Sequence, residues 1–173
     1  MTTSTRATTP ASGRDKPRLS CASSQWAAGM AELHRRGRGE HESGAFLLGT
    51  RDEDCGVVSR WIYYDDLEPS CLDSGVVIFE GAGYGELWRT CRETGLSVLA
   101  DVHTHMGRAI QSYLDRDNPM VAVAGHIAII VPWLAARVVP MTKLGIYEYL
   151  GDHEWVDHSG RMAEMFFHIG SRR

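Results

Sequence analysis

SVLADVHTHMGRAIQSYLD, residues 97–115, combines a buried-strand pattern with polar side chains that could act together. The apolar run at 97–102 predicts a strand that leads directly into the tripeptide His-Thr-His at 103–105. Because residues i and i+2 of a strand point to the same face, the two imidazoles are expected to converge on one ion. Ser112 and Asp115 follow at a spacing of three, which in a helical turn puts the hydroxyl and the carboxylate on neighbouring faces.

Two imidazoles and one carboxylate form a three-ligand set that leaves a fourth tetrahedral position open. Such a set is typical of catalytic rather than structural zinc, so His103, His105 and Asp115 are predicted to hold one Zn²⁺. Water in the open position needs a neighbouring general base. Glu42, just before the apolar run at 45–49, is the acidic residue that we expect in this role.

Each of these features also has a second interpretation. An HxH pair can be two surface histidines at the end of a strand, and Ser112 and Asp115 can cap a short helix near Asn118. Asp101 shares the strand face of both histidines, so it can orient an imidazole or simply face solvent. Four other histidines lack ligand spacing and are expected to be structural or exposed: His126, His153, His158 and His168.

The flanking segments predict a mixed α/β architecture, a curved β-sheet flanked by helices. Apolar residues at helical spacing predict helices over 24–36 and 84–95, the first capped by Ser23 or Ser24. Apolar runs predict strands, of which the first two form a hairpin: 45–49, 57–64, 76–79, 96–103, 127–131, 144–150 and 162–169.

Three segments together resemble the pattern of JAMM (MPN-domain) metalloproteases, which is Glu, then HS/TH, then SxxD. They are ESGAFLLG at 42–49, HTH at 103–105 and SYLD at 112–115. The resemblance runs from about Gln25 to at least Val131, and the segment after Asp115 is similar to the prokaryotic JAB branch. It implies an MPN/JAB domain over 19–173, with cytidine-deaminase-like layering of the sheet and helices.

The resemblance implies a role for each motif residue. It assigns Zn²⁺ to His103, His105 and Asp115. It makes Glu42 the general acid/base and gives Ser112 a hydrogen bond to the oxyanion of the tetrahedral intermediate. The sequence departs from the family at residue 106, where methionine replaces the usual proline, and the loop before Ser112 is one residue shorter than in many eukaryotic members.

The activity implied by the resemblance is cleavage of peptide or isopeptide bonds after the C-terminal glycine of a ubiquitin-like protein. Deconjugation and precursor processing both fit, and a sulfur-carrier protein is an alternative substrate. E1-like and E2-like proteins of the same system are further expected partners. An extended, glycine-ending tail is expected to pair with the strand at 44–49 by β-augmentation.

Two other functions share part of this evidence. A non-haem iron oxygenase also uses two histidines and one carboxylate. A non-catalytic MPN scaffold would bind partners only, and it would need neither the three ligands nor Glu42.

Composition excludes several further classes. At 173 residues the chain is too short for a (β/α)₈ barrel, which needs about 250 residues. A net charge of -4 offers no basic field for phosphates, so no nucleic-acid partner is expected. The longest apolar run, 127–136, contains Pro132 and is too short to cross a membrane.

The first 18 residues are rich in Thr, Ser and Pro and predict a disordered N-terminal tail ahead of the domain at 19–173. This segment has no apolar core of the kind found in secretory signals. The cysteines form no CxxC pair, so we expect free thiols in a reducing cytoplasm: Cys21, Cys55, Cys71 and Cys91.

Overall fold

A computed structural model describes residues 17–52 and 55–170 of the chain. In this part, eight strands form one curled mixed sheet in the order β7-β6-β5-β4-β2-β3-β1-β8. The strands are β1 (Leu19–Cys21), β2 (Gly44–Asp52), β3 (Cys55–Tyr63), β4 (Ser97–Thr104), β5 (Ile127–Val131), β6 (Gly145–Gly151), β7 (Glu154–Asp157) and β8 (Phe167–Ile169). The helices are α1 (Ser23–Arg36), α2 (Tyr64–Leu67), α3 (Tyr84–Thr94), α4 (Tyr113–Asp117) and α5 (Ala163–Phe166). The predicted α/β class with a curved mixed sheet and flanking helices is confirmed.

The centre of the sheet is formed by β2, β4 and β5. Strand β4 runs antiparallel to β2 and parallel to β5. The predicted hairpin is confirmed as β2 and β3, whose antiparallel pairing extends from Ala45↔Tyr63 to Asp52↔Cys55. Residues 53 and 54 of its turn lie outside the described residues. Strand β4 therefore has hydrogen-bonded neighbours on both edges, which fix the position of its carboxyl end.

The two faces of the sheet carry separate cores, which we call the α1 face and the α3 face. On the α1 face, Trp26, Met30 and Leu33 of α1 belong to the buried apolar cluster that contains Leu47 of β2. On the α3 face, Leu87 of α3 belongs to a second buried apolar cluster. Its other members are Phe46, Leu48, Ile62, Tyr64, Cys71 and Leu72. Burying a leucine side chain stabilises a fold by about 1.5–3 kcal/mol.

The predicted strand at 76–79 is wrong, because this segment is irregular in the structure. Its side chains alternate as a strand would require, with Val76 and Ile78 exposed and Phe79 packed on the α3 face. The hydrogen bonds of a ladder are missing, however. β2, the central strand, is already paired with β3 and β4, and the backbone N–H of Ile78 donates instead to the Cys71 carbonyl at 2.8 Å.

Other predicted boundaries shift for reasons of tertiary pairing. The first helix begins at Ser23, so its N-cap is Ala22 rather than the predicted Ser23 or Ser24. Ala22 is the single residue between the end of β1 at Cys21 and the start of the helix. The three-residue strand β1 is too short for a periodic signal, and its parallel pairing with β3 and β8 alone places it. Only 167–169 of the predicted last strand is extended, after helical turns over 160–166. The helix at 84–95 is confirmed, with Gly95 as a left-handed C-cap.

Of the predicted tail, residues 1–16 lie outside the described residues. The backbone N–H of Arg18 donates to the Phe166 carbonyl at 2.8 Å, and the Arg18 carbonyl accepts from Gly56 at 2.9 Å. All four cysteines are free thiols. Among the described residues, no helix has the length and apolar character needed to cross a membrane.

Candidate metal centre

The two histidines of the HTH tripeptide stand at the carboxyl end of β4. His103 pairs in register with Gly44 of β2 and with Ile130 of β5. Immediately beyond it, Thr104 N–H donates to the Ser43 carbonyl at 2.8 Å, and His105 N–H donates to the Val131 carbonyl at 2.9 Å. The backbone at His103 is therefore held from both sides, and that at His105 is held by the residue that ends β5.

Asp115 reaches the histidines from the first turn of α4. The Ser112 hydroxyl oxygen accepts from the backbone N–H of Asp115 at 3.2 Å, and the Ser112 N–H donates to Asp115 Oδ2 at 2.6 Å. This is a capping box, so the helix-capping interpretation of these two residues is confirmed. The cap does not exclude a ligand role, since it holds the Asp115 carboxylate in one orientation beside the imidazoles.

Donor atoms of all three residues lie close together. The Nε2 atoms of His103 and His105 are 3.1 Å apart. Asp115 Oδ1 is 3.4 Å from the first Nε2, and Oδ2 is 3.3 Å from the second. Ligand bonds of about 2.0–2.1 Å give a tetrahedron whose edges are about 3.3–3.4 Å. The group could therefore hold a metal ion.

Behind His103 lies the carboxylate of Asp101, which is only 1% exposed. Its Oδ2 is 3.6 Å from His103 Nδ1, an ion-pair contact on the side of the ring away from Asp115. The interpretation of Asp101 as a solvent-facing residue is therefore wrong, because the carboxylate is buried against an imidazole. A carboxylate on the far nitrogen of a ligand histidine is the usual arrangement behind metal sites.

The electrostatics of this cluster favour positive charge at its centre. Burial lowers the pKa of His103, but the carboxylates of Asp101 and Asp115 outweigh it and raise the pKa to about 10. Burial raises the pKa of Asp115, but its contacts with the two histidines hold that pKa well below the ordinary range. The same field that favours an extra proton on His103 would favour a metal cation in its place.

Glu42 and Ser112 open onto the same cleft as the three donor residues, and the cleft has a volume of about 780 Å³. Glu42 precedes β2 by two residues, so the register that pairs Gly44 with His103 brings it opposite His105. Its backbone N–H donates to the Gly75 carbonyl at 2.9 Å. The structure thus places all five predicted site residues around one cavity.

Several residues that line this cleft were not identified from the sequence. Tyr64 of α2 and Trp155 of β7 line it, as does the irregular segment over 76–79. Gln111 also lines the cleft, and its Nε2 is buried without a hydrogen-bond partner among the described residues. No local pattern marks these residues, since only the tertiary fold brings them to the site.

The expected pairing of a substrate tail with the strand at 44–49 is wrong. Strand β2 is hydrogen-bonded to β3 along one edge and to β4 along the other, so it has no free edge to which a peptide could add.

Comparison with known proteins bears on the fold alone. No family model matches the chain. The fold is similar to the solution structure of protein DSY2949 from Desulfitobacterium hafniense, with a TM-score of 0.58 and 18% sequence identity. The match covers 82% of this chain and 90% of that chain.

Proposed function

We propose that this protein is a zinc-dependent peptidase or isopeptidase of the JAMM/MPN type, in its prokaryotic JAB branch. The proposed reaction is hydrolysis after the C-terminal glycine of a ubiquitin-like protein, either in deconjugation or in precursor processing. The observation that carries the proposal is a pair of imidazole nitrogens 3.1 Å apart, each 3.4 Å or 3.3 Å from one oxygen of the Asp115 carboxylate, with Glu42 on the same cleft. We further propose that the sheet is an MPN fold and that the protein acts in the cytoplasm.

Zn²⁺ is the ion that we assign to the donor group, because two imidazoles and one carboxylate with an open position are its usual catalytic ligands. A bound zinc ion would supply Lewis acidity and a water that ionises near neutral pH. The ligand residues His103, His105 and Asp115 would hold it with bonds from Nε2, Nε2 and a carboxylate oxygen.

Glu42 is assigned the proton transfers. A carboxylate on the cleft wall can take a proton from the attacking water and return it to the leaving amine. Its place is fixed by the backbone, because Ser43 next to it is bonded to Thr104 in both directions, at 2.9 Å and 2.8 Å.

Ser112 is assigned the stabilisation of the oxyanion. Its hydroxyl oxygen accepts the capping hydrogen bond from Asp115 N–H, so the hydroxyl hydrogen remains free to donate. The residue lines the cleft beside the donor group, where charge would develop on the carbonyl oxygen. One such donor contributes about 2.7–4 kcal/mol to a hydrolytic transition state.

The test uses a ubiquitin-like protein fused through its C-terminal glycine to a reporter. Wild-type protein should cleave the fusion, should lose this activity with a chelator, and should recover it with added zinc. Glu42→Gln should retain zinc while its rate falls by about 10²–10⁴-fold. A fusion whose terminal glycine is replaced by valine should resist cleavage, because a side chain would prevent close approach of the backbone to the donor group.

Parallel fusions of a sulfur-carrier protein determine which substrate class is used. Oxygen-dependent turnover with bound iron and no hydrolysis would contradict the proposal in favour of an oxygenase. Zinc-independent binding of either fusion without cleavage would identify a scaffold. Cleavage by Glu42→Gln at the wild-type rate would place the general base elsewhere.

A further inference from the structure

The buried carboxylate of Asp101 is held by more than the histidine in front of it. Tyr64 OH donates to Oδ2 at 3.0 Å, and His126 Nε2 donates to Oδ1 at 2.7 Å. Both partners are buried, as is the carboxylate. Each of the two carboxylate oxygens of Asp101 therefore has its own buried polar partner.

Tyr64 comes from α2 and is fully buried. Its ring packs edge-on against Phe46 with centroids 5.0 Å apart, and it also contacts the ring of Phe79. The ring lies against the backbone of Gly44, where a Cβ atom would be only 2.1 Å from Cε2. The glycine beside His103 in the sheet therefore leaves the space through which Tyr64 reaches Asp101.

His126 approaches from the other side, just before β5. Its side chain is 3% exposed, and its backbone is tied to the sheet because the carbonyl accepts from Tyr149 N–H at 2.9 Å. His126 also lines a second cleft of about 540 Å³, which contains neither Asp101 nor the three donor residues. The Asp101 carboxylate thus lies between two neighbours that are themselves fixed by packing.

We propose that Tyr64 and His126 are positioning residues for the metal ligand His103, acting through Asp101. Each occupies one oxygen of the carboxylate and stops it from rotating. The fixed Oδ2 lies 3.6 Å from His103 Nδ1, favours the tautomer with hydrogen on Nδ1, and would leave the Nε2 lone pair available to a metal ion. This inference rests on the metal site of the proposed function, but not on its substrate.

A purely structural role would give a different outcome, since a buried polar cluster can simply satisfy the core. The two roles separate in the zinc affinity, because removal of a residue behind a metal ligand weakens binding by about 10–100-fold. A structural cluster would lower thermal stability and leave the zinc affinity of the folded protein unchanged.

The experiment measures the zinc dissociation constant by competition with a chromophoric chelator, and thermal unfolding in excess chelator. His126→Leu removes the donor, and it should weaken zinc binding by about 10–100-fold. His126→Gln keeps an N–H donor, so it should recover most of the affinity. Tyr64→Phe removes only the hydroxyl and should weaken zinc binding by a smaller factor.

The matched control is His158→Leu. His158 Nε2 also contacts a partly buried carboxylate, Glu148, at 3.0 Å, but neither residue touches the donor group. This variant should unfold at a lower temperature and bind zinc as the wild type does.

Wild-type zinc affinity in folded His126→Leu and Tyr64→Phe would overturn the inference, as would an equal loss in His158→Leu. If His126→Leu does not fold, Tyr64→Phe and Asp101→Asn provide the same comparison. Absence of zinc binding in the wild-type protein would contradict the proposed function itself and with it this inference. Tight wild-type binding with unaffected variants would contradict the inference alone.

Discussion

The two faces of strand β4 differ in chemistry although they belong to the same eight residues. On the α1 face, Ala100 and Val102 pack in a cluster made of apolar side chains. On the α3 face, Asp101 and His103 are also buried, but they are polar and are paired with other polar groups. Alternation along a strand thus allows one side to stabilise the fold and the other to build a site. We expect stability and metal affinity to respond to different substitutions.

The largest effect is expected on the α3 face when a ligand is removed. His103→Ala should reduce zinc from one ion per chain to nearly none, because the two remaining ligands leave two positions of the tetrahedron to water. Elemental analysis of the purified variant measures this. His168→Ala, an exposed histidine outside the donor group, is the control and should keep its zinc. Full occupancy in His103→Ala would contradict the ligand assignment.

A substitution on the α1 face should lower the stability of the fold and leave zinc binding nearly unchanged. Leu47 is fully buried in the apolar cluster, so Leu47→Ala should lower the free energy of unfolding by about 2–5 kcal/mol. Its zinc affinity should stay within about twofold of wild type, because separate sites couple weakly. Denaturant titration and chelator competition measure the two quantities. A large loss of zinc affinity would show that the two faces are coupled.

Gly44→Ala should affect both properties, because the new Cβ would lie 2.1 Å from the Tyr64 ring. The ring must move away from Asp101, which should cost about 1–3 kcal/mol of stability and weaken zinc binding. Gly85→Ala is the matched control, since a Cβ there meets nothing within 4 Å on α3. That variant should be as stable as wild type or more so. Unchanged zinc affinity in Gly44→Ala would separate Tyr64 from the site.

The smallest effect concerns one thiol on each face. Burial raises the pKa of Cys21, on the α1 face, to about 11 and that of Cys71, on the α3 face, to about 12. At pH 8 both should remain thiols and react slowly with an alkylating reagent, because the thiolate is the nucleophile. Mass spectrometry should show fast labelling of both only after unfolding. Fast native labelling of Cys71 alone would indicate that water reaches the α3 core beyond the cleft.

Much of the site could be predicted from sequence because its signals are local. The apolar run before the HTH tripeptide predicts β4, and the alternation of strand side chains predicts that His103 and His105 converge. The spacing of Ser112 and Asp115 predicts a helical turn, which the structure confirms as a capping box. The helix at 84–95 has the same kind of local signal, an apolar stripe that ends at a glycine.

Only the tertiary structure decides what lies around these elements. The strand pattern at 76–79 fails because strand pairing requires a free neighbouring edge, and β2 has none. The environment of Asp101 depends on Tyr64 and His126, which are 37 and 25 residues away along the chain. The local periodicity of the sequence predicts which face of the sheet a side chain occupies. The side chains that it contacts there depend on how distant segments pack. The candidate ligand residues are therefore visible in the sequence, whereas the buried residues around them are visible only in the fold.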